Sequence, residues 1–156
     1  PVLVLRESRL SRLYDKGVYQ PLTLEKAVVL AAWMKKYFDA RGIRVVRMGL
    51  QPGRELEDSL MAGPYHPAFG ELVSARIMLQ QTRKALQDAG SNDRLILSIS
   101  GRDGSIFRGV NSSNIRRLKE LGLDERYVLV TDKKQERFTL RKMNTVSMQV
   151  EHAQCQ

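Results

Sequence analysis

Between Leu24 and Leu50 the sequence specifies a helix, one glycine and a strand, in that order. Leu24, Ala27, Ala31, Met34 and Phe38 recur at three- and four-residue steps, which gives a helix running to Arg41 one apolar face. Pro21 stops regular structure before it, and Thr23 is placed to accept from the free N–H groups of its first turn. Gly42 stands where a left-handed closing residue is wanted. Ile43 to Leu50 then reads as a strand, and so does Pro1–Leu5, which is short, apolar and without alternation, as in a buried parallel sheet. A short helix over Ser8–Lys16, closed by Gly17, lies after the first strand. This grammar predicts an α/β fold in which Pro1–Leu50 supplies β/α units of a parallel sheet or barrel.

A loop rich in Gly and Pro is expected from Gln51 to Pro67. The clearest helix begins after it: Ala68, Leu72, Ala75, Leu79, Thr82, Leu86 and Ala89 form a seam about six turns long. Gly90 to Asp93 ends it and is the expected boundary with a small α+β unit. There Leu95–Ile99 reads as a strand. Ser112 or Ser113 caps a helix carrying Ile115, Leu118 and Leu121 and stopped by Gly122, and Tyr127–Val130 and Phe138–Arg141 read as a hairpin about the turn Thr131–Glu136. A frayed tail is expected beyond Asn144.

The 156 residues, 42% apolar and 28% charged, are enough for one ordinary domain or two small ones around a buried core. No run of eighteen apolar residues occurs, and the burst Pro1–Leu5 followed by Arg6 lacks the basic leading stretch of a signal peptide. An opening on Pro-Val-Leu-Val-Leu reads as a start inside a strand, so the chain is expected to be a piece of a longer protein. Cys155 is the lone cysteine; it supports neither a disulfide framework nor a metal site, and points to a reducing, cytoplasmic setting. The formal charge of +9, from 26 Lys and Arg against 17 Asp and Glu, favours polyanionic partners without identifying one.

The stretch Ala62 to Glu71 carries the most chemical information. Pro64 and Pro67 bracket Tyr65 and His66 and fix their backbone, while Gly63 and Gly70 permit close approach of another segment or ligand. His66 is of the side-chain type most easily tuned for proton transfer, although a single His without a metal or nucleophile also serves plain structural ends. Arg47, Gln51 and Arg54 lie at the end of the strand Ile43–Leu50, the end that faces ligand in β/α folds. Arg47 there is either a two-pronged anion holder or a solvated surface arginine. Glu55, Glu57 and Asp58 suit a helix start, where the dipole favours negative charge, better than acid–base chemistry. No metal-ligand spacing, phosphate loop or nucleophile elbow is present, so the catalytic residues expected in this chain are none.

Positive charge gathers at Arg102, Arg108, Arg116, Arg117 and Lys119, around a Gly-containing turn that leads into a basic helix. KH domains clamp a nucleic-acid backbone in this way, but their loop requires a second Gly where Ser112 stands. A solvated basic helix is the alternative.

Three segments, Lys16–Thr23, Val46–Pro52 and above all Gly63–Leu72, resemble the late part of bacterial radical SAM proteins related to the Elongator catalytic subunit. The likeness extends more loosely through Arg102-Asp103 and Phe107-Arg108-Gly109 to Leu118. It implies that Pro1–Leu50 completes a radical SAM partial barrel with the Tyr65–His66 loop near its mouth, so that 1–90 is the C-terminal part of that barrel with its helical extension; 91–145 is the small α+β unit read above and 146–156 the flexible tail. It also implies a parent protein that uses a [4Fe–4S] cluster and S-adenosylmethionine, with its N-terminal remainder as the partner of this chain and tRNA as a substrate. Arg47, Gln51, Tyr65 and His66 would then contact substrate, and Arg102, Arg108, Arg116, Arg117 and Lys119 would meet RNA. The chain departs from that family in lacking the three clustered cysteines and any following acetyltransferase domain, so it is not competent as a radical enzyme alone. The rival expectation is a stand-alone basic nucleic-acid-binding module.

Overall fold

A computed structural model describes residues 2–90 and 94–143. They divide into two compact units, the first ending at Val73 and the second beginning at Ser74. The division falls inside a helix, whereas the sequence places a domain boundary at 90/91.

The first unit opens with β1 (Val4–Leu5), which pairs antiparallel with β2 (Leu60–Ala62). The parallel pairing expected of Pro1–Leu5 is not formed among the described residues. Val4 is fully buried but Val2 is 57% exposed, so the apolar run is a two-residue contact rather than a buried strand. β2 lies in what the sequence offers only as loop; three residues are too few to show a period.

Helix α1 (Arg9–Asp15) starts where the Ser8 hydroxyl accepts from Ser11 N–H at 3.1 Å and stops at Gly17, whose φ is +68°. Helix α2 (Leu24–Asp39) is capped by Thr23, whose Oγ1 accepts from Lys26 N–H at 3.3 Å. It closes at Gly42, with Gly42 N–H donating to Asp39 O and Ile43 N–H to Phe38 O. Both expectations hold because caps are local and need no distant partner. The buried face differs from the expected one. Ala27, Val28 and Ala32 are buried, while Met34 is 48% exposed. After α2 the chain from Ile43 to Arg47 has no regular secondary structure and no ladder partner among the described residues, and Val46 is 89% exposed. The strand-like composition is present there; the sheet it suits is not. Helix α3 (Arg54–Ser59) follows with Glu55 and Glu57 in its first turn, as the dipole argument requires.

Helix α4 (Phe69–Gln87) begins at the end of the first unit and continues into the second. Beyond the expected seam, Ile77, Met78 and Ala85 are buried as well, so burial is wider than one stripe. In the second unit β3 (Leu95–Ser100) is the central strand. β4 (Tyr127–Asp132) pairs parallel to it, and β5 (Leu140–Met143) pairs antiparallel on its other edge. β4 and β5 are therefore not the expected hairpin, because β3 stands between them. Helices α5 (Gly104–Arg108) and α6 (Ser113–Glu120) make the crossover from β3 to β4.

The core of this unit joins Ala75 and Met78 of α4 to Ile99, Ile106, Phe107 and Leu118, with Phe107 and Tyr127 meeting edge to face at 5.7 Å. Asn114, also buried, donates from Nδ2 to Ala75 O at 2.9 Å and Phe107 O at 3.1 Å, which ties α6 to α4 and α5. Ser112 stands at the head of α6 but does not cap it. Its backbone is left-handed (φ +58°, ψ +27°), and its side chain makes no capping bond. Leu121, expected on the inner face of that helix, is 36% exposed, and Leu123 packs on the core instead. The tail expected at 146–156 lies outside the described residues.

Candidate functional site

Two close approaches place the Tyr65–His66 loop. At Gly63 (φ +119°) a Cβ would lie 2.9 Å from Val2 O, and at Gly49 (φ +84°) one would lie 2.8 Å from Phe69 Cβ. A side chain at either position would clash as well as strain the backbone. One end of the loop is thereby pressed on the residues that lead into β1 and the other on Gly49, at the end of the segment after α2. Pro64 and Phe69 are buried beneath it.

This mounting fixes the two candidate side chains. Tyr65 donates its hydroxyl to Glu57 Oε1 at 2.7 Å. That bond, with loss of hydration and the Glu57 charge behind it, raises the phenol pKa above its ordinary value. His66 Nδ1 accepts from Ala68 N–H at 3.0 Å, which leaves Nε2 to carry the ring proton and to face outward bonding partners as a donor. Arg47 donates from Nη1 to Gln51 Oε1 at 3.2 Å, so these two form one polar pair on the chain that passes Phe69. Glu57 is the residue that sequence reasoning missed. Its place in a helix start explained it fully in one dimension, and only the return of the chain through β2 brings Tyr65 to it.

The basic residues fall in the second unit, in two groups. On α6, Arg116 donates to Asn111 O at 2.6 Å and Arg117 pairs with Glu120 at 2.9 Å, while Lys119 is exposed. Arg102 lies in the turn after β3, and the Arg108 guanidinium lies beside Gly104, 3.6 Å from where a Cβ would stand.

The family model for the Radical_SAM C-terminal domain matches residues 1–79, just over half the chain. The chain belongs to the radical SAM C-terminal domain family. The match spans the Tyr65–His66 loop and the residues that mount it. No curated protein and no solved structure matches the chain.

Radical SAM chemistry requires an iron–sulfur cluster, and this C-terminal domain does not fit one. The whole sequence has a single cysteine, and among the described residues no group of three or more His, Cys, Asp or Glu is placed to hold a metal. Among the described residues no helix is long and apolar enough to cross a membrane.

Proposed function

We propose that this chain is the substrate-contacting C-terminal region of a radical S-adenosylmethionine protein related to the Elongator catalytic subunit, acting on tRNA. The cluster and S-adenosylmethionine are assigned to an N-terminal remainder, which this chain completes. One observation carries the reading. The segment from Ile43 to Met48, which joins no strand among the described residues, and the outer face of α2 together leave Val29, Leu30, Trp33, Met34, Tyr37, Ile43 and Val46 exposed, an apolar surface typical of an interface. Trp33 and Tyr37 stack at 5.6 Å, and Arg41 lies 3.5 Å over the Tyr37 ring, so the surface is a rigid aromatic strip. A helix with an apolar outer face followed by an unpaired strand-forming segment is a β/α unit without its sheet. The sheet it suits is a partial parallel barrel whose last strand is Ile43–Leu50.

In that setting Arg47 and Gln51 sit at the carboxyl end of the joining strand, the ligand-facing end. Arg47 would bind an anionic group of the substrate. Tyr65, oriented by its hydrogen bond to Glu57, and His66, donating from Nε2, would orient polar atoms of the substrate and exclude water.

The test is association between this chain and the cluster-binding remainder expressed separately. Trp33 is the only tryptophan here, so fluorotryptophan incorporated into this chain reports on the strip alone. Binding that moves the fluorine resonance, and that Val46→Lys abolishes, is the expected result. A monomeric mixture with an unmoved resonance overturns the reading.

A further inference from the structure

The positive charge is unevenly divided. Residues 2–73 carry eleven Lys and Arg against eight Asp and Glu, a net +3; the described residues from Ser74 to Met143 carry fifteen against seven, a net +8. A polyanion is therefore drawn to the second unit.

Within that unit, two loops meet at the carboxyl ends of β3 and β4. Gly101 N–H donates to Asp132 O at 3.2 Å. Asp103, fully buried, accepts from Arg137 Nε at 3.0 Å and from Phe138 N–H. Gln135, 4% exposed, accepts from Ser98 Oγ and donates to Ser98 O and Thr139 O. The loop 133–139 is thus tied down along its length by buried polar groups. What it presents outward is Lys133, Lys134, Arg137 and Phe138, with Glu136 as the one anion against three cations. Phe138 adopts φ +62°, a conformation that a bulky residue holds only when its surroundings impose it, and its ring is 39% exposed with the Arg137 guanidinium 4.5 Å from its centre. A strained, exposed aromatic ring among cations is what base stacking with phosphate contact requires.

We infer that this clasp, Gly101–Gly104 with Lys133–Phe138, is a contact for single-stranded RNA. Phe138 stacks on one base while Arg102, Lys133 and Lys134 meet neighbouring phosphates. The inference rests on the RNA reading above and locates the contact away from α6, where Arg116 and Arg117 are already engaged by Asn111 and Glu120.

The experiment is fluorescence anisotropy of a labelled oligouridine of about ten nucleotides with the full chain across a salt series. Wild type is expected to bind with affinity that falls steeply with salt. Lys133→Glu with Lys134→Glu should weaken binding about tenfold or more and flatten the salt slope by about 0.7 per lost phosphate contact. Phe138→Gly suits the left-handed backbone, so it removes the ring without burdening the fold. It should weaken binding at least about fivefold and leave the salt slope unchanged. Loss confined to Arg116→Glu with Lys119→Glu, with the clasp variants binding as wild type, overturns the clasp and leaves the RNA reading standing. Absence of wild-type binding at low salt overturns both.

Discussion

Of the seventeen large apolar side chains left exposed among the described residues, fourteen lie in the first unit and three in the second. The buried sets differ in the same sense. The first unit buries small side chains, Ala27, Val28 and Ala32, together with Val4, Phe69 and Val73. The second buries Met78, Leu86, Leu97, Ile99, Ile106, Phe107 and Leu118. One chain thus contains a region whose apolar surface is largely unspent and a region that encloses its own core. Apolar area left in water contributes nothing to stability, so the first unit draws little cohesion from Trp33, Met34 and Tyr37. The second has converted its own into cohesion and turns cations outward instead.

The contrast is open to direct attack. Leu118→Ala should lower the free energy of opening at the β3 amides by about 3 kcal/mol, since it deletes buried methyl groups and leaves a cavity. Trp33→Ala should change the opening of the α2 amides by less than about 0.5 kcal/mol in this chain, its ring being 64% exposed. Native-state hydrogen exchange reads both, and equal costs would end the distinction. Asn114→Ala should cost about 2 kcal/mol by the same measurement, because it strands the carbonyl of Phe107 in the core and removes a bond to Ala75 O.

The smallest expected effect is alkaline. Tyr65, through its bond to Glu57, and Tyr127, chiefly through burial and then the Asp124 charge, both have raised pKa values. A raised phenol pKa means that the folded chain keeps a proton which the unfolded chain releases first. The stabilisation is therefore whole below about pH 10 and is lost as pH rises through the folded-state values. Tyr65→Phe should flatten the Tyr65 part of this decline, seen in urea midpoints taken across alkaline pH, while Tyr127 continues to produce its own. An undiminished slope in Tyr65→Phe would remove the Glu57 bond from the account.

What was legible in the sequence follows the range of the interactions. Ser8, Gly17, Thr23 and Gly42 act on neighbours three or four residues away, and the helices they bound appear where expected. The pairing of Val4 with Ala62, and the insertion of β3 between β4 and β5, depend on partners dozens of residues distant, and the alternation of short strands carries no record of them. Ile43–Leu50 shows the limit from the other side: its residue types suit a strand, yet a strand exists only when another edge is offered. In the candidate site, the Pro–Tyr–His–Pro loop was visible as a rigid presentation of two side chains. Glu57, Asp103, Gln135 and Asn114 were not, because a polar residue in a turn or helix looks the same whether solvent or a buried partner satisfies it. Phe138 was hidden for a related reason: it read as a strand residue, and its left-handed backbone goes with an N–H held by the distant Asp103.

The position of β3 has a consequence for how the protein is made. Its two edges are completed by strands that begin at Tyr127 and Leu140, so during synthesis Leu97 and Ile99 leave the ribosome well before either neighbour is available. Late, non-local closure is slow and leaves an apolar strand open to other chains in the interval. The second unit is therefore completed late, and a nascent chain stalled before Leu140 would carry β3 with one edge unpaired.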